Sequence, residues 1–121
     1  MTSRLGLLLV DHGSRRAESN AQLNDMAERV ARFHPGVPVF ASHMEIAPPD
    51  IATGIADLVA RGATEIVVLL YFLSDGRHST KDVPELVHAA LGAHPGVTAR
   101  IGQALGPHDA LAKLLLERAG L

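Results

Sequence analysis

Seven histidines and no cysteine set the terms for any chemistry this chain performs. Disulfides, thiolate metal sites and a cysteine nucleophile are excluded, which leaves imidazole and carboxylate as the reactive groups. His12 and His78 stand apart, because each occupies a polar loop that directly follows a continuous apolar run. The first loop is Asp11-His12-Gly13-Ser14-Arg15-Arg16, after Leu5 to Val10. The second begins Ser74-Asp75-Gly76-Arg77-His78, after the run from Ile66 to Leu73. Imidazole suits iron, cobalt, nickel and zinc ions, and two such ligands without cysteine make an open, weak site. A site of that kind hands a metal on rather than holding it structurally. For either histidine alone, a hydrogen bond to nearby backbone is the simpler role; their joint placement at two strand ends favours a shared site.

Glu45 and His43 follow the second strand. Either could supply a further ligand or accept a proton. An ordinary surface position is an equal alternative for Glu45 and the preferred one for His43. His34 and His94 stand beside Pro-Gly pairs and stop helices; His88 falls mid-helix on an exposed face, and His108 opens the last helix as a cap. Arg15, Arg16, Arg77 and Lys81 share the loops of His12 and His78. With the N-termini of the following helices they would make an electropositive rim that draws a polyanionic ligand. Taken singly, each is equally a solvated charge.

The elements that must position these residues alternate. Runs rich in β-branched residues read as strands buried on both faces, hence parallel and central. From Ala17 to Phe33, Leu23, Met26, Ala27, Val30 and Ala31 recur at helical spacing, until His34-Pro35-Gly36 ends the pattern. Val37 to Met44 is a weaker strand, with Pro38 suited to an edge or first position. Pro48-Pro49-Asp50 starts a helix burying Ile51, Ile55, Leu58 and Val59, closed by Gly62. After the run at 66–73, Asp82 is the expected N-cap of a third helix, with Pro84 in its first turn and Glu85 completing a capping box. That helix should bury Val83, Leu86, Val87, Ala90 and Leu91. Val97, Ala99 and Ile101 alternate as in a half-exposed edge strand, and a last helix should turn Leu111, Leu114 and Leu115 inward.

His34-Pro35-Gly36-Val37 recurs as His94-Pro95-Gly96-Val97, so the order divides into two βαβα repeats. Right-handed crossovers with the continuous runs in the middle give a four-stranded parallel sheet of order 2-1-3-4, helices on both faces, in a flavodoxin-like α/β fold. The crevice at its switch point then lies between His12 and His78.

At 121 residues, 47% hydrophobic, with net charge −2, the chain reads as one globular domain over 1–121. No basic run accompanies its few aromatics, which speaks against nucleic acid. The apolar run at Leu5 is too short to span a membrane, so a cytoplasmic location is the default. Neither GxGxxG nor GxxxxGK[ST] occurs, and no GxSxG elbow surrounds Ser14 or Ser74, so nucleotide binding and serine-hydrolase chemistry lack support.

Four blocks carry a resemblance: Leu9-Val10-Asp11-His12-Gly13-Ser14-Arg15 with Asn20; Met44-Glu45-Ile46-Ala47-Pro48-Pro49-Asp50-Ile51; Tyr71-Phe72-Leu73-Ser74-Asp75-Gly76-Arg77-His78 with Asp82-Val83-Pro84; and Leu105-Gly106-Pro107-His108. In order and over nearly the whole chain, the sequence resembles the short CbiX/SirB-type sirohydrochlorin chelatases. The resemblance implies ATP-independent insertion of a divalent metal, Co2+, Fe2+ or Ni2+, into sirohydrochlorin on the way to cobalamin or sirohaem. It implies that His12 and His78 bind the metal and act on the macrocycle, His78 taking the proton, with Glu45 as the acidic partner. Arg15, Arg77, Lys81 and the hydroxyls of Ser14 and Ser79 would hold the substrate's carboxylates. Asp11 stands where many members have glycine. A homodimer is implied, two short chains doing the work of two fused lobes, with no nucleotide, nucleic acid or membrane partner. Other classes are a non-catalytic metal-binding or metal-delivery module and a flavodoxin-like domain for a phosphorylated ligand. A purely structural domain would leave the polar, histidine-rich loops without a role.

Overall fold

The computed structural model describes residues 3–77 and 81–121. Strands β1 (Leu5–Asp11), β2 (Val39–His43), β3 (Glu65–Leu70) and β4 (Thr98–Ile101) alternate with helices α1 (Ala17–Phe33), α2 (Ile51–Ala60), α3 (Val83–Leu91) and α4 (Asp109–Arg118). All pairings are parallel and the order is β2-β1-β3-β4, as the placement of the continuous apolar runs requires.

Two cores follow from the period of two along each strand. Leu8, Val10, Ile66, Val68 and Leu70 meet Ile51, Ile55, Leu58, Val83 and Val87 on the side covered by α2 and α3. On the other side Leu9 and Ala41 pack on Leu23 and Ala27 of α1. The repeat survives in the turns: Gly36 and Gly96 both take positive φ, +83° and +87°, after equivalent helix stops.

Four expectations are corrected. β3 ends at Leu70, because the amides of Leu105 and Gly106 bond to the carbonyls of Phe72 and Leu73, drawing that part of the apolar run toward the β4–α4 loop. Asp82 does not cap α3: its backbone is already right-handed helical (φ −67°, ψ −46°) and its side chain makes no capping bond. Leu86 faces outward, 42% exposed. The leucines of α4 do not reach a core either: Leu114, Leu115 and Leu116 are all exposed and no residue of the helix is buried. Among the described residues no helix is long and apolar enough to cross a membrane.

Candidate functional site

The site grows from the seam between central β1 and edge β2. Their last register pair is Asp11 with His43, and the ladder continues past it: the Met44 amide donates to the Asp11 carbonyl (2.8 Å) and the Glu45 amide to the His12 carbonyl (3.1 Å). His12 and Glu45 are therefore set side by side by backbone before their side chains meet. Beyond Glu45 the chain reverses through a γ-turn, the Ala47 amide bonding the Glu45 carbonyl at 2.9 Å around Ile46 at φ +74°. The His43 amide then bonds Pro49, and Asp50 caps α2 by accepting from the Thr53 amide at 2.8 Å. Hydrogen bonds from Thr53, side chain first and backbone second, hold the Asp50 carboxyl below the usual aspartate range.

At the loop end His12 Nε2 lies 2.9 Å from Glu45 Oε1, the two side chains 40% and 55% exposed. His12 Nδ1 faces the Gly13 carbonyl at 3.2 Å. A carbonyl and a carboxylate both only accept, so each of these contacts calls for a proton on the ring nitrogen that makes it or, at Nε2, for a cation in its place. Either a proton or a metal ion suits the space between Nε2 and Oε1. Gly13 makes the approach possible: φ is +97°, and a Cβ there would overlap the Glu45 carbonyl oxygen and lie 3.2 Å from His43 Cβ.

The loop above is tied down by Asn20. Its side-chain oxygen accepts from the Ser14 amide (2.9 Å) and its side-chain nitrogen donates to the Ser14 carbonyl (2.8 Å). Ser14 Oγ accepts from the Arg16 amide, which leaves the hydroxyl proton to be donated elsewhere. Arg16 spends its guanidinium on Glu18, at 3.1 and 2.9 Å, so it adds little to the rim. Backbone hydrogen bonding and then Arg16 pull the Glu18 carboxyl below its usual range. Arg15, Arg77 and Lys81 are exposed.

His43 overturns the expectation of a surface role. It is 3% exposed, with Nδ1 2.6 Å from Asp11 Oδ1. The signal was present in the period of two: His43 shares a face with Ala41, and Asp11 with Leu9, so complementary side chains fall together at the strand ends. His108 caps α4 through Nδ1, accepting from the Ala110 amide at 2.9 Å, and the His34 amide closes α1 onto Val30. His78 and Ser79 lie outside the described residues. Among the described residues no three His, Asp or Glu side chains are grouped to hold a metal ion. Apolar hollows also open beside α1, one lined by Leu5, Leu7, Val67 and Leu69, and another past the carboxyl ends of β3 and β4, lined by Tyr71, Leu73, Leu105, Leu111 and Leu114.

A family model described as CbiX matches residues 6–120. The chain belongs to the CbiX family. Its relatives include the chloroplastic sirohydrochlorin ferrochelatase of Arabidopsis thaliana, 37% identical over 93% of this CbiX chain and 50% of that protein. A sirohydrochlorin cobaltochelatase of Methanococcoides burtonii is 31% identical over 98% of this chain and 97% of its own. Among solved structures, the sirohydrochlorin chelatase SirB of Bacillus subtilis subspecies spizizenii in complex with cobalt superposes with a TM-score of 0.84 at 26% identity, over 97% of this chain and 50% of that one. A CbiX protein of Marinobacter aquaeolei VT8 gives 0.80 at 26% identity, over 96% and 94%. The chain thus spans about half the length of the Arabidopsis and Bacillus relatives and nearly all of the other two.

Proposed function

We propose that this CbiX chain inserts a divalent metal, cobalt or ferrous iron and by the same donor set nickel, into sirohydrochlorin without nucleotide. The observation that carries the reading is the His12–Glu45 pair at the β1 end, in a chain whose relatives are cobalto- and ferrochelatases. Its Nε2–Oε1 separation of 2.9 Å equals the spacing of two neighbouring ligands on one ion. Bonds of roughly 2.1 Å at right angles put such donors about 3 Å apart. His12 Nε2 and Glu45 Oε1 replace waters of the incoming ion and present it to the ring. His78, which follows β3 in sequence, completes the grip and takes a pyrrole proton.

The reaction balances simply: the ion enters as M2+, two pyrrole N–H protons leave, and no electron is transferred. Imidazole titrates close enough to neutral pH to accept such protons and pass them to water. Arg15, Arg77 and Lys81 draw the macrocycle's carboxylates, while Ser14 and Ser79 donate hydroxyl protons to them. A second copy of the chain closes the pocket from the far side. Support comes from the match to one half of SirB and from the α4 leucines that this chain leaves uncovered.

The test is anaerobic incubation with sirohydrochlorin and each ion in turn, following the change in macrocycle absorbance. The wild type should insert cobalt and iron, and His12→Ala and His78→Ala should each lose on the order of 100-fold or more. Metal binding without turnover would replace this reading with a delivery module. Undiminished rates in both variants would remove the histidines from the mechanism.

A further inference from the structure

We propose that Asp11 and His43 form a buried clamp whose task is to hold Glu45 in register with His12, making both of them positioning residues for metal capture. The inference rests on the chelatase reading above and adds to it two side chains that touch neither metal nor macrocycle.

Asp11 precedes His12 and is the last residue of β1, while His43 ends β2 two residues before Glu45. The two are register partners, and their side chains meet at 2.6 Å with His43 almost wholly buried and Asp11 only 20% exposed. An ionised carboxylate can only accept, so Nδ1 of His43 carries the proton of this bond. The bond turns the Asp11 carboxylate toward His43, and among the described residues no third acidic or histidine side chain is grouped with His12 and Glu45.

The location matters because β2 is an edge strand of five residues. An edge strand has a neighbour on one side only, and its end is where a sheet frays first. Past the clamp, two backbone bonds among the described residues, Met44 amide to Asp11 and Glu45 amide to His12, continue the β1–β2 ladder toward the site. If the last register pair opens, both bonds lose their anchor and the 2.9 Å spacing of His12 and Glu45 goes with them. His43 is also fixed through its backbone, by the bond of its amide to the Pro49 carbonyl. The end of β1, the end of β2 and the segment leading into α2 therefore meet at one residue.

The experiment compares wild type with Asp11→Ala, Asp11→Asn and His43→Gln. Cobalt alone is titrated into each protein and followed by its visible absorption. Insertion kinetics with sirohydrochlorin then separate kcat from KM, and hydrogen exchange is read at the amides of Met44 and Glu45. Loss of an outer-shell partner commonly weakens metal binding about 10- to 100-fold, which is the expectation for Asp11→Ala and His43→Gln. The drop should appear in cobalt affinity and kcat with the KM for sirohydrochlorin unchanged, and exchange at Met44 and Glu45 should accelerate. Asp11→Asn keeps an accepting oxygen for His43 and should restore much of the loss. Unchanged cobalt affinity and exchange in Asp11→Ala would overturn the proposal. So would losses shared by Asp11→Asn and matched by a general fall in melting temperature, since they mark a merely structural pair. Should the wild type insert no metal, the chelatase reading fails by itself, and exchange at the two amides still decides the clamp.

Discussion

Replacing Gly13 by alanine separates local strain from damage to the site. The residue sits at φ +97°, beyond the left-handed helical well that other residues occasionally visit. Holding alanine there costs about 1–3 kcal/mol. For a domain of this size, at roughly 4 °C per kcal/mol, that is a fall in melting temperature of about 4–12 °C. Steric overlap adds to this, because the new Cβ meets the backbone carbonyl of Glu45 rather than the end of a flexible side chain. Relief requires Glu45 to withdraw from His12 by on the order of 1 Å, and a misplacement of that size costs roughly 100-fold in rate. Gly36→Ala is the control. Its φ is +83°, yet nothing lies within 4 Å of its Cβ position, so it carries the conformational cost without the overlap. Thermal melts and the insertion assay on both variants are the measurements. Gly13→Ala should be the less stable of the two, and only it should lose activity. Equal stability and undiminished insertion in both would refute the claim that this glycine seats Glu45 against His12.

The Asp50 cap gives a pH dependence of determined sign. Because Thr53 depresses the folded carboxyl below its unfolded value, the stabilisation is complete above the unfolded pKa and lost as pH falls through the folded one. Asp50→Ala should therefore be about 1 kcal/mol less stable in urea at neutral pH and converge with wild type in acid. Leu115 on α4 is 71% exposed. Leu115→Asp should change monomer stability by no more than about 0.5 kcal/mol while abolishing the proposed dimer in sedimentation, whereas a persisting dimer would move the interface off this helix.

The central architecture was legible because β1 and β3 are buried on both faces and leave uninterrupted apolar runs that few other elements produce. Their edge neighbours were legible by contrast. The misses share a cause, which is that local pattern reports a residue's preference and leaves its neighbour open. Tyr71 to Leu73 look like strand, but the β4–α4 loop takes the carbonyls of Phe72 and Leu73. Asp82 has the residue type of a cap, but its backbone already lies in a helical turn. The α4 leucines form a proper stripe, but they border an open hollow with Tyr71, Leu73 and Leu105 instead of closing on a core. His12 and Glu45 could be nominated from loop chemistry, whereas their 2.9 Å contact depends on strand register, which is set by which strands lie adjacent. His43 was missed for that same reason: its partner is thirty-two residues away.

The division of labour across the seam explains why this end of the sheet is built so differently from the other. His12 leaves a strand that is bonded on both sides, so its starting point needs no further support. Glu45 leaves a short edge strand and must turn back at once to begin α2, through Ile46 at a φ that a β-branched residue rarely takes. A turn of that kind costs of order 1–3 kcal/mol and persists only where the surroundings over-determine it. Here the Asp11–His43 pair, the rungs to Asp11 and His12, the His43–Pro49 bond and the Asp50 cap supply that constraint together. The contacts that hold Ile46 in its turn are therefore the ones that bring Glu45 to His12, and loosening any of them should be felt at both places.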